Sequence, residues 1–277
     1  MLFKRKTRPA VEPCVEPSEI ERRVSIIHDG RWTRAGQYEP RRMSSIYLPR
    51  QAEKYLLADF RQFLSLADWY AEKSIPLRRG YCFHGPSGTG KDVTARAIAT
   101  ELELDIAVLN LANPEVSSRN IVTLLRGCPD GLLIVEGADR PNPELSLHLL
   151  EGPLDGVAGE HGLIVIFIVH DATKLPIELV RPGRIDISYE FTHASKDQVG
   201  RIFDVFFPDA ADAARAVFIG ECLEKQLTMA AVQGLLMAKS RETINKEITL
   251  NGQLARANER AGTQGDGRHR QVSSAQE

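Results

Sequence analysis

The chain has 277 residues, enough for one or two domains around a substantial core. Its 35 basic and 37 acidic residues leave a formal charge of -2, which gives no global electrostatic case for nucleic acid or a membrane surface as partner. Cys14, Cys82, Cys128 and Cys222 lie far apart without paired metal-ligand spacing, so neither a zinc site nor a disulfide framework is expected, and reduced thiols in a reducing compartment are.

From residue 1 to 48 the sequence is rich in proline and arginine with little periodicity, and it reads as an extended polar arm with a short strand at Val24 to Ile27. Met1 to Ala10 carries Lys4, Arg5, Lys6 and Arg8 but no apolar centre, unlike a cleavable signal. The arginines at 22, 23, 31, 34, 41, 42 and 50 are interspersed with acids, as on a solvated or intersubunit face. Pro49 suits the first turn of a helix, and Ala52, Leu56, Leu57, Phe60, Phe63, Leu64 and Ala67 recur at three- and four-residue steps.

Gly80 to His84 reads as a short buried strand, and Asp92 to Leu102 as a helix with Val93, Ala97 and Ile98 inward. Strands are expected at Asp105 to Leu109, Leu132 to Val135, Leu163 to Val169 and Ile187 to Phe191, with helices at Ile121 to Arg126 and Pro143 to Leu154. The run Leu163 to Val169 is far below the ~20 apolar residues of a membrane helix and reads as a central strand; no membrane span is expected. This alternation argues for an α/β class protein, a doubly wound parallel sheet over residues 49–194 whose site lies beyond the carboxyl ends of its strands. Ser195 and Gln198 form a capping-box pattern, and a further helix follows Thr228 with Met229, Val232, Leu235 and Leu236 inward, giving a small helical lid over 195–250. Residues 251–277 hold no aromatic residue and read as a disordered tail.

Between the first strand and its helix stands Gly85-Pro86-Ser87-Gly88-Thr89-Gly90-Lys91-Asp92. It fits the phosphate-binding pattern G-x-x-x-x-G-K-[ST] up to its last position, where a carboxylate replaces the hydroxyl that would hold magnesium. Glycines let consecutive amides converge on phosphates at a helix start, and Lys91 adds a mobile charge. A nucleotide with Mg2+ is therefore the expected ligand, with Asp92 itself a hard-metal ligand.

The segment Trp69 to Asp92, the stretch Lys174 to Phe191 and the lid sequence Met229 to Leu236 resemble AAA ATPases. Within that group they are most similar to the mitochondrial inner-membrane chaperone family that moves folded Rieske iron–sulfur protein during assembly of respiratory complex III. The resemblance covers roughly Arg41 to Lys239 and implies a homo- or hetero-oligomeric ring with nucleotide between subunits. Arg181 and Arg184 would then reach the neighbouring subunit's site to stabilise the transferring phosphoryl group. That family's membrane helix and adjoining domain would precede Arg41, where only a short polar arm is seen, so the family's compartment is not carried over. The family's acidic pair at the third strand end falls on Glu136 and Gly137: Glu136 supports the metal and the second carboxylate is missing, with Glu136 or Asp139 as substitutes. The family's γ-phosphate-sensing asparagine falls on His170, which alternatively pairs with Asp171. Binding groups persist while chemical groups are altered, so impaired hydrolysis in a protein-remodelling or assembly module is expected, against a competent ATPase or a nucleotide-free scaffold.

Overall fold

A computed structural model describes residues 22–75, 77–156 and 163–242. Seven strands form one sheet: β1 (Arg23–His28), β2 (Arg31–Gln37), β3 (Arg78–His84), β4 (Ile106–Asn110), β5 (Leu132–Glu136), β6 (Leu163–Ile168) and β7 (Ile187–Glu190). Their order is β2-β1-β4-β5-β6-β3-β7, and every pair is parallel except the β1–β2 hairpin. The expected α/β doubly wound architecture is thus present.

Two faces of the sheet are covered because the strands alternate between two apolar sets. Cys82, Leu109, Val135 and Phe167 point to one side, packing with α4 (Ile121–Arg126) and α5 (Glu151–Gly156). Tyr81, Phe83, Ile134 and Ile166 point to the other, against α1 (Arg50–Ser65) and α3 (Lys91–Glu101). Such strands read as near-continuous hydrophobic runs. Below α1, Phe60 stacks on Tyr81 at 3.9 Å, and Asp59 accepts from Arg79 at 2.6 Å and from Tyr81 at 2.5 Å. A short helix, α2 (Ala67–Glu72), leads from α1 towards β3.

Residues 23–48 differ from the expected arm. Val24 to Ile27 extends into β1, which pairs in parallel with β4, and an Asp29-Gly30 turn with φ of 52° and 66° returns the chain as β2. Asp-Gly at left-handed φ suits the right-handed twist of a two-residue hairpin, a signal present in the sequence. Tyr38, Met43, Ile46 and Leu48 are then buried on the α1–α3 side, so this segment belongs to the sheet unit. Pro49 is the N-cap of α1 rather than a first-turn residue. The helix expected at Pro143 to Leu154 is delayed: a 3₁₀ turn at Leu147–Leu150 precedes α5.

The lid comprises α6 (Lys196–Phe206), α7 (Asp212–Glu224) and α8, residues 229–242. Ser195 and Gln198 form the expected capping box. Helix α7 has no counterpart in the sequence expectations; its Phe218, Ile219 and Cys222 close the lid core with Val199, Phe203 and Val232. The expected disordered tail and the basic start of the chain lie outside the described residues.

Candidate nucleotide site

Strands β3, β5 and β6 end at one rim of the sheet, and each delivers part of the site. After β3, Gly85, Gly88 and Gly90 hold φ of 126°, 79° and 104°, bending the loop so that Gly90 caps α3. At Gly85 a side chain is excluded outright, since a Cβ would stand 2.0 Å from the Phe191 carbonyl oxygen. Lys91 is buried and its Nζ donates to the carbonyls of Gly85 at 2.6 Å and Pro86 at 2.7 Å, spanning the loop it is to serve. Burial pushes its pKa down, against the attraction of Asp139.

Asp92 projects from the first turn of α3, and Nε of Arg96 donates to both its oxygens at 3.1 and 3.2 Å. This pair one helical turn apart was legible in the sequence and unnoticed there. Thr94, the nearest hydroxyl to the missing Ser/Thr, is fully buried and donates to the Gly90 carbonyl at 2.8 Å, so it is spent on its own helix.

At the end of β5, Glu136 is half-buried. Its pKa is raised, first by burial and then by the Asp92 carboxylate, with Arg96 opposing. Two neighbouring carboxylates are a donor set suited to a hard cation, which would offset their repulsion. Gly137 follows at φ 73°, with Asn110 Oδ1 3.3 Å from where its Cβ would be. Asp139 lies beneath this wall: its Oδ2 accepts from the backbone N–H of His170 at 2.9 Å and of Asp171 at 3.3 Å. The Asp139 side chain is 1% exposed, and it is not among the residues lining the cleft.

His170 sits just beyond β6 and lines the cleft, and it does not pair with Asp171. Asp171 instead caps the following 3₁₀ turn through Thr173. The imidazole Nδ1 lies 2.7 Å from a guanidinium nitrogen of Arg140 and 3.7 Å from Asp139. Because arginine can only donate, Nδ1 is the acceptor and the ring proton of the neutral form lies on Nε2. Burial, then Arg140 and Lys91, lower the His170 pKa, which keeps the ring neutral. Arg140 was not foreseen, since nothing in its local sequence marks it.

These groups line one end of a cleft of about 760 Å³ between sheet and lid. Ile46, Leu48, Ile202, Phe206 and Met229 line the other end. The lid is seated on the phosphate loop itself: the Ala230 N–H donates to the Gly88 carbonyl at 3.0 Å, and a Cβ on Gly88 would touch Thr228 Oγ1 at 3.0 Å. Gln198 Nε2 donates to the Tyr47 carbonyl at 2.6 Å, Arg201 donates to the Leu48 carbonyl, and Arg201 lies over the Tyr47 ring. The segment preceding α1 is thereby clipped to α6, and both form the apolar wall.

Residues 81–193 match the model of the ATPase family associated with various cellular activities, AAA, and residues 196–243 match the ATPase lid domain of mitochondrial chaperone BCS1-like proteins. The chain belongs to the AAA family, with a BCS1-like lid. It is 31% identical to "Probable mitochondrial chaperone BCS1-A" of Dictyostelium discoideum over 76% of this chain and 54% of that protein. It is 32% identical to "Probable mitochondrial chaperone bcs1" of Schizosaccharomyces pombe over 74% of this chain and 49% of that one. The human "Mitochondrial chaperone BCS1" is 30% identical over 74% of this chain and 54% of its own length. The chain thus spans about half the length of these relatives. No helix among the described residues is long and apolar enough to cross a membrane.

AAA proteins bind ATP with a divalent metal and are typically oligomeric. The stretch after β6 holds Arg181 and Arg184 differently. Arg184 is 10% exposed; it donates to Asp155 at 2.9 Å and to the Glu178 carbonyl at 2.6 Å, and pairs with Glu151 at 3.2 Å. Those bonds, Asp155 first, push its pKa up. Arg181 is exposed, next to Val180 and near Ile177, which are 48% and 74% exposed. The structure brings Lys91, Asp92, Glu136 and His170 to one cleft, places Asp139 under its wall, and puts Arg181 and Arg184 outside it.

Proposed function

We propose that this chain is an AAA module that binds Mg-ATP and hydrolyses it slowly, serving protein remodelling or complex assembly. The observation that carries the reading is the rim of β5. There Gly137 occupies a left-handed conformation without any carboxylate, beside a phosphate loop and Lys91 that keep their binding geometry. The chain of Gly85, Pro86, Ser87, Gly88, Thr89, Gly90 and Lys91 holds the phosphates, and the apolar end of the cleft receives the base; its volume lies within the range typical of small-molecule sites. Asp92 and Glu136 would hold the metal, with Arg96 yielding Asp92 to it. The chemistry supplied by Mg2+ held there would be neutralisation of phosphate charge and polarisation of the terminal phosphoryl group.

Around that metal, the chain's own groups determine the rate. Lys91 balances charge on the terminal phosphate, and His170 Nε2–H can donate to the attacking water. Proton acceptance by a carboxylate at position 137 is absent; help of this kind contributes about 10² to 10⁴ in rate. Arg181, exposed and with no hydrogen bond or ion pair from its side chain among the described residues, would serve the next subunit in a ring. Arg184 supports that segment through Asp155 and Glu151.

A competent ATPase is the second reading, and the geometry favours Glu136 over Asp139 for it. Glu136 lines the cleft with a raised pKa, whereas Asp139 is buried and committed to two backbone N–H groups. Mg-ATP binding and turnover on purified protein test both. Saturable binding with turnover well below ~1 s⁻¹ is expected; turnover at or above that rate overturns slow hydrolysis, and no binding leaves only a scaffold.

A further inference from the structure

Two arginines line the cleft: Arg41, in the segment before α1, and Arg140, which stands at the end of β5 beside the phosphate-loop lysine. Arg96 is paired with Asp92, and Arg201 with Asp197 at 2.8 Å. Arg140 has no carboxylate partner among the described residues; its one side-chain bond is to a neutral imidazole, His170. A guanidinium has five N–H donors, so several remain for a ligand. It is exposed and lines the cleft together with Lys91, Glu136, Gly137 and His170. Its backbone is fixed as well, because the Arg140 N–H donates to the Gly137 carbonyl at 3.0 Å and closes the turn at the end of β5. The placement is a product of the β5–β6 pairing, which sets Glu136 opposite Ile168 and so brings the chain after β5 beside the chain after β6.

We infer that Arg140 is a phosphate-binding residue acting within its own subunit, contacting the terminal phosphate of a nucleoside triphosphate, and that His170 is the positioning residue that aims it. The inference rests on the nucleotide reading above and adds a specificity to it. The site distinguishes triphosphate from diphosphate by a cation the chain supplies to itself, independent of an arginine from a neighbour. A planar fork of donors matches phosphate oxygens better than an ammonium group, so lysine is a partial substitute at best. His170 contributes by accepting one N–H and thereby fixing the guanidinium plane. Asp139 and Lys91 face the same imidazole from beneath the wall and from the phosphate loop.

Competition of ATPγS and ADP against a fluorescent N-methylanthraniloyl ADP, with Mg2+ and at protein concentrations low enough to dissociate oligomers, tests this. Arg140→Gln should leave ADP affinity within about twofold and weaken ATPγS about 10- to 100-fold, the range for losing a charge-assisted hydrogen bond. Arg140→Lys should recover part of the loss. His170→Ala should lower the ATPγS preference less than Arg140→Gln does, and adding it to Arg140→Gln should cause little further loss. An unchanged ATPγS to ADP preference in Arg140→Gln, or equal weakening of both, overturns the inference while leaving nucleotide binding intact. Absence of any signal in the wild-type chain overturns the nucleotide reading, and this one with it. A melting curve for each variant checks that the exposed substitution leaves the fold in place.

Discussion

Restoring an acid at position 137 is the most direct probe of why this site would be slow, and the backbone there complicates it. Gly137 has φ 73°, and its missing Cβ would meet the Ala112 N–H nitrogen at 3.2 Å and Ala112 Cβ and Asn110 Oδ1 at 3.3 Å. An L-residue in the left-handed region costs about 1–2 kcal/mol. Against a stability of roughly 5–15 kcal/mol the variant still folds. At about 2–4 °C per kcal/mol for a protein of this size, Gly137→Ala should lower Tm by about 2–8 °C. Gly137→Glu carries the same strain and adds a carboxylate beside Glu136. Steady-state ATP turnover, read alongside Tm, should then rise about 10²-fold or more over Gly137→Ala, because the strain is common to both and only the acid differs. A Gly137→Ala chain that melts like the wild type would falsify the conformational argument. A folded, ATP-binding Gly137→Glu chain no faster than Gly137→Ala would refute the missing acid as the cause of slow hydrolysis.

The two arginines after β6 should separate by assay. Arg184→Ala should lower Tm, since a largely buried guanidinium loses its bonds to Asp155, Glu151 and the Glu178 carbonyl and leaves Asp155 with Arg78 and Glu151 with His148, while Arg181→Ala should leave Tm nearly unchanged and affect only ATP turnover in the assembled state. The Arg184 guanidinium holds Asp155 below its ordinary 3.8, so this stabilisation is complete above that value and disappears as pH falls through the lower folded pKa. The Tm gap between wild type and Arg184→Ala, measured across an acid series, should therefore close on acidification; a gap that widens refutes the pairing. For Lys91→Ala, the rise in Tm with excess Mg-ATP should vanish, where the wild type gains about 2.7 kcal/mol at a hundredfold excess over Kd. An undiminished rise would show that the ligand sits elsewhere.

Much of the fold was legible because its signals are local or periodic. The strands from Gly80 to Phe191 are apolar runs whose residues alternate between two covered faces, and the capping box at Ser195 is spelled within four residues. The phosphate loop was readable for the same reason: its geometry is set by its own glycines. Where signals were weaker, expectation and structure part. The hairpin at 23–37 depends on β1 finding β4, about 80 residues away, and its Asp29-Gly30 turn was the one local clue. Helix α7 lacks a sharply one-sided apolar stripe, so its place in the lid follows from Phe218, Ile219 and Cys222 meeting α6 and α8.

By itself the sequence determined that a glycine-rich loop ending in Lys91 opens α3, that the expected hydroxyl after Lys91 is a carboxylate, and that no carboxylate follows Glu136. Only the tertiary structure decided which charges meet. Arg140 faces His170 across 30 residues, Asp139 is sealed beneath the same histidine, and Arg184 is bound to Asp155 and Glu151 while Arg181 remains exposed. Backbone conformation is dictated within a few residues, whereas pairing of side chains at a sheet rim depends on which strands lie side by side, and that is settled by the packing of the whole sheet.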